Sequence, residues 1–192
     1  MKIDAKLNLV IPILDDEEKP IAYVHSMPIA RETFERYFIV ISKAFSAIYG
    51  EGLSFVAGPR VAALILRKIA EEIGEWEGIE GVKDGLLGEV RRLSSFIGPA
   101  SNGWEPIPLE EAVRKGLISS DDLAEVENAI AFFIVASAMH KRNALKATLD
   151  GAAKLWGARV TSLNSTEFGA FLKTSTAGEN TGATAVVSSV PY

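Results

Sequence analysis

Cysteine is absent from this chain of 192 residues, and histidine occurs only twice. Without cysteine there is no disulfide, no thiolate nucleophile and no thiolate metal site, which fits a reducing compartment. A basic excess is also missing. Lys and Arg number 20 against 25 Asp and Glu, for a net charge of −5, which argues against a dedicated nucleic-acid binder. The most apolar stretch, Ala129 to Met139 (AIAFFIVASAM), is shorter than the roughly 20 residues a membrane-spanning helix needs. No Gly-x-Ser-x-Gly elbow, Walker lysine motif, His-x-x-x-His pair or calcium-loop pattern is present. Gly50-x-Gly52 follows a predicted helix instead of a strand, and Phe55 stands where a dinucleotide fingerprint requires its third glycine. No repeat with a period of roughly 20 to 50 residues appears.

The candidate catalytic and ligand residues are accordingly few. His25 falls in a predicted strand. His140 falls at a helix end beside Lys141 and Arg142. Neither has the positioned partner that general-base work requires. Carboxylates cluster at Asp15 to Glu18, Glu71 to Glu80 and Asp121 to Glu127. They read as a solvated turn, a polar loop and a helix N-terminus, since none combines convergent spacing with a neutral ligand. The expectation is a protein with no enzymatic activity, no catalytic residues, no cofactor and no metal.

What is present describes a single domain. With 48% apolar residues, the chain is too hydrophobic to be disordered throughout. At this length one core buries roughly 70% of the unfolded surface. At the N-terminus Ile3, Ala5, Leu7, Leu9, Ile11 and Ile13 alternate with Lys2, Asp4, Lys6 and Asn8, the period of a half-buried strand. The acidic turn and the missing cleavage site that follow do not read as a secretory signal. Ile21 to Met27 forms a second extended run after the turn DDEEKP. The pair reads as an antiparallel hairpin over residues 1–28 that must dock on helices or another chain, and its free edge is a candidate assembly surface.

After Pro28 the period becomes helical. Phe34, Tyr37, Phe38, Ile41, Ala44, Phe45 and Ile48 predict a helix from about Ala30 to Tyr49. Gly58-Pro59 opens a second, with Val61, Leu64, Ile65 and Ile69 as its stripe. Val82, Leu86, Val90, Leu93 and Ile97 predict a third, stopped by Gly98-Pro99. Ala100 to Pro108 reads as a loop, and a short helix follows from Leu109 to Lys115. Ser119 or Ser120 caps a long helix to about Lys141. Another helical stretch includes Ala144 to Trp156, and a short turn lies near Thr166 to Leu172. From Lys173 the composition turns to Ser, Thr, Gly and Ala, which reads as a mobile tail. The predicted architecture is mainly α: one domain over residues 1–172 with five to six helices and the hairpin, then a flexible tail over 173–192.

Two features favour contacts with other chains. The AIAFFIVASAM segment is too apolar for a surface helix, so it is buried in this chain's core or against another chain. Trp76 and Trp104 sit in predicted loops and Trp156 ends a predicted helix. A large ring in a loop is either pinned to the core or offered to a partner, and tryptophan is enriched at interface hot spots. All three are candidate partner contacts.

Three segments carry a resemblance: Leu9 to Phe38, Gly58 to Glu72, and Glu125 to Phe168. Together they resemble tail assembly chaperones, small proteins of the tail-morphogenesis region of long-tailed phages and prophages, over roughly residues 3 to 172. The resemblance implies a mainly helical, non-enzymatic protein of the host cytoplasm that is absent from the finished virion. It also implies binding to the tape measure protein, whose hydrophobic helices it keeps soluble, and recruitment of tail tube subunits. Self-association is compatible with it, while nucleic acid and membrane are not among the implied partners. A longer frameshifted form, with the segment after Lys173 as linker, is a further implication. The alternative is a structural minor tail or tail-completion protein that stays in the particle.

Overall fold

A computed structural model describes residues 7–50, 52, 57–101, 103–139 and 157–179, with side chains to Lys173. Strands β1 (Asn8–Leu14) and β2 (Pro20–Ser26) form the expected hairpin. Asp15 closes its turn by accepting the Glu17 and Lys19 amides at 2.9 Å each. Helices α1 (Arg31–Arg36) and α2 (Phe38–Gly50) follow, then α3 (Gly58–Glu72). A π-helical turn, Val82–Leu86, leads into α4 (Leu87–Arg92). Next come β3 (Ser94–Ala100), β4 (Gly103–Pro108), α5 (Leu109–Arg114) and α6 (Ser120–Met139). Strand β5 (Arg159–Thr161) and helix α7 (Ser165–Glu179) complete the described chain.

The expectation of a mainly helical domain with a hairpin is overturned. The hairpin is the centre of a five-stranded antiparallel sheet, ordered β4-β3-β2-β1-β5. With seven α-helices among the described residues, the fold is α+β. The expected third helix is correct only through Arg92. Leu93 ends it, and Ile97 lies in a strand that pairs with β2 from Ser26↔Ser94 to Tyr23↔Ile97. The expected loop from Ala100 is β4, joined to β3 through a two-residue connection at Ala100↔Gly103. The hairpin edges expected to be free are occupied by β3 along β2 and by β5 along Asn8 to Val10.

Three other expectations meet the structure differently. The first helix breaks at Tyr37, which leaves helical geometry (φ −101, ψ 20) between α1 and α2. The turn expected near Thr166 is the start of α7, which continues past Lys173 to Glu179, into the segment expected to be tail. The predicted helical stretch Ala144–Trp156, with His140 and residues 180–192, lies outside the described residues.

Packing explains the layers. Every residue of α6 from Ala129 to Ala136 is buried. Its neighbours are α3, α2 and β1, so Ala129 to Ala136 of the AIAFFIVASAM segment are core to this chain, while Met139 is exposed. Ser119 caps α6, accepting the Asp122 amide at 3.1 Å while donating to its carboxylate at 2.6 Å. Asn128, on α6, accepts the Ala63 amide of α3 at 3.0 Å and so fixes the two helices laterally. Leu9, Ile11, Ile13, Ala22, Val24 and Phe96 present the sheet's inner face to this layer and share its hydrophobic cluster.

The π turn holds a tight contact. The Tyr37 hydroxyl donates to the Glu80 carbonyl at 3.0 Å, and a Cβ on Gly85 would lie 1.8 Å from that hydroxyl. The missing side chain is therefore what admits Tyr37. Gly85→Ala is expected to cost about 2 kcal/mol in urea unfolding, as overpacking does. Adding Tyr37→Phe should restore part of the loss. An unchanged midpoint for the single variant would overturn this account.

Candidate interaction surface

The sheet's outer face carries two of the residues singled out in the sequence, His25 and Trp104. Alternation along the strands points Val10, Pro12 and Leu14 of β1 outward, with Ile21, Tyr23 and His25 of β2, Ile97 of β3 and Trp104 of β4. Val10, Ile97 and Phe168 form a second hydrophobic cluster here, joined by Tyr23, Trp104, Leu163 and Leu172. Its cover is α7. Asn164 caps that helix by a reciprocal pair: Oδ1 accepts the Glu167 amide and Glu167 Oε2 accepts the Asn164 amide, both at 2.9 Å. Helix α7 comes close to β4, since a Cβ on Gly169 would lie 2.9 Å from the Trp104 carbonyl oxygen. Tyr23 is the hinge of the packing, edge-on to both Trp104 at 5.4 Å and Phe168 at 5.5 Å.

A buried polar tie lies beside this cluster. The Leu163 carbonyl accepts from Asn8 Nδ2 and from His25 Nε2, each at 2.9 Å. The acceptor is a carbonyl, so His25 carries its proton on Nε2. Burial pushes the His25 pKa below the ordinary histidine value, and this outweighs the opposing pull of the Leu163 carbonyl. His25 is thus a neutral structural donor that ties β2 to the segment entering α7.

Toward the hairpin end the cover runs out. Pro12 and Tyr23 are half-buried, whereas Leu14 and Ile21 are 44% and 49% exposed. Beyond them lies the acidic turn Asp15 to Glu18. Lys19 bonds Glu17 there at 2.5 Å.

The sequence candidates fall in separate places. Trp104 belongs to the outer cluster, packed on Tyr23. Trp76 packs against the inner cluster, with the Arg67 guanidinium 5.3 Å above its ring. The two rings are not brought together, and Trp156 lies outside the described residues. Leu14 and Ile21 were not singled out by sequence. Their signal was the acidic turn flanked on both sides by apolar residues.

Other concavities are modest. A groove of about 330 Å³ is lined by Arg91, Leu109, Glu110, Val113, Leu123 and Glu127, and within it Arg91 pairs with Glu127 at 3.1 Å. A second, around Arg36, Tyr37 and the 74–81 loop, is lined by Glu75, Glu77 and Glu80. Among the described residues no three His, Asp or Glu side chains converge to hold a metal. No described helix is long and apolar enough to cross a membrane. No protein-family model, curated protein or solved structure gives a significant match to this chain.

The His25 tie has a pH signature. Its pKa is depressed on folding, so the unfolded chain binds more protons near and below the free histidine value. The stabilisation is complete above about pH 6.5 and is lost as pH falls through the folded-state value. His25→Gln keeps a donor for Leu163 but does not titrate. Urea midpoints between pH 7.5 and 5 should therefore fall more steeply for the parent than for the variant, and parallel profiles would refute the tie's role.

Proposed function

We propose that this chain is a non-enzymatic phage tail assembly chaperone that binds the tape measure protein and helps recruit tail tube subunits. It acts in the host cytoplasm, outside the mature particle. The resemblance of Leu9 to Phe38, Gly58 to Glu72 and Glu125 to Phe168 to such chaperones is the starting point. The structural observation that supports it is the open apolar end of the outer sheet face, with Leu14 and Ile21 exposed beside four consecutive carboxylates. A holdase needs apolar contact area, and net negative charge keeps a sticky complex in solution.

The α+β fold departs from the helical architecture that the resemblance implied. That departure favours one second reading, a minor tail or tail-completion protein retained in the virion, because a five-stranded sheet suits a docked structural part.

Co-expression with the tape measure protein of the same tail gene cluster separates the two. A chaperone converts an insoluble tape measure protein into a soluble, co-purifying one and is missing from purified particles. A tape measure protein that stays insoluble while this chain appears in purified tails would replace the chaperone reading with the structural one.

A further inference from the structure

We infer that the open end of the outer sheet face seats an amphipathic helix of the partner, apolar side down, with its basic residues toward the acidic turn. This rests on the chaperone reading and names the surface that performs it. The first support is the sheet's own behaviour. Helix α7 already lies across the β3–β4 side of this face and buries Phe168 against Tyr23. The face continues beyond it without a change of chemistry, from Val10 and Ile97, both buried, through Pro12 and Tyr23 to Leu14 and Ile21. The register passes from Ile13↔Ala22 to Leu14↔Pro20 and leaves Ile21 as the unpaired residue of the shift, which alternation from the inward Ala22 turns to the outer face with Tyr23. A partner helix at this position extends an existing helix-on-sheet layer.

The second support is charge. Asp15 is committed to the turn amides and Lys19 to Glu17. No described cation pairs with Asp16 or Glu18. At the other end of the patch Arg159 of β5 sits opposite Val10 on the same face, close enough to act electrostatically on Tyr23. The patch is thus polar along its length, negative at the turn and positive at β5. A helix carrying Lys or Arg at the end over the turn fits it in one direction only, which is how charge sets orientation at interfaces.

The test uses the full chain co-expressed with the tape measure protein. Leu14→Lys with Ile21→Lys removes the apolar contact. Asp16→Lys with Glu18→Lys reverses the turn without touching the strands. Leu64→Lys is the control, a substitution of a residue 60% exposed on α3. Thermal unfolding of each variant alone reports folding. We expect co-purified tape measure protein to fall about tenfold or more for both double variants, as at an interface hot spot, and to be unchanged for the control.

Equal recovery with the turn variant and the parent overturns this inference while leaving the chaperone reading intact. So does an equal loss with the control. Failure of the parent itself to keep the tape measure protein soluble overturns both. If the parent alone sediments as a dimer that the turn variant dissociates, the occupant is a second copy of this chain, and the inference fails on that ground.

Discussion

Enclosure of α6 is the constraint from which the layers follow. A helix that is apolar around its whole circumference has no side to give to water, so it must be surrounded. From Ala129 to Ala136 no residue is accessible. Helices α2 and α3 take two sides and β1 contributes a third. One hairpin by itself is a poor closure for that side, since an isolated pair of strands is marginal in water. Extension by β3 and β4 on one side and by β5 on the other supplies the missing area, with Phe96 and Val160 joining the same cluster.

A sheet that seals one layer acquires a second face, and this one is only partly polar. Val10, Tyr23, Ile97 and Trp104 cannot be left to solvent without cost, and α7 meets the need with Phe168 and Leu172. Getting the chain across to that face requires burying backbone in the connection. The Leu163 carbonyl would be a costly orphan there, and Asn8 and His25 satisfy it from two adjacent strands. The buried histidine is thus accounted for by one carbonyl.

Legible in the sequence were the hairpin, from the alternation of its core-facing residues, and α6, from an apolar run behind a capping serine. The odd positions Leu9, Ile11 and Ile13 do face the core, whereas α3 turns Ala62, Leu66 and Ala70 inward in place of the expected stripe of Val61, Leu64, Ile65 and Ile69 and leaves Leu64 60% exposed. The fold class was misread because β3 is buried on both faces. Phe96 packs inward and Ile97 outward, so period-two alternation disappears and the spacing from Leu93 to Ile97 imitates a helix. Strand β4 hid behind Pro106 and Pro108, which an edge strand tolerates and a central one does not. At three residues, β5 is shorter than any period can register. The second covered face did leave a trace. From Val10 onward the even positions of β1 are apolar too: Val10, Pro12 and Leu14. A strand with one wet face would have carried polar residues there.

Fold class and function separate at this point, because function belongs to a surface grafted on a fold and not to the fold itself. A helical chaperone would present its apolar area along helices, where side chains on one stripe can be spared from the core. Here α6 gives Ala129 to Ala136 to the interior, so that stretch offers no contact area. In the proposed docking the sheet would supply contact area at the hairpin end, where Leu14 and Ile21 stand on strands that pair from Leu9↔Ser26 to Ile13↔Ala22 and are joined by the Asp15 turn. A surface held this rigidly loses little conformational entropy when a partner arrives. In the proposed docking the cost of ordering would fall on the partner helix, and the charge gradient from Asp16 to Arg159 would decide which way round that helix lies.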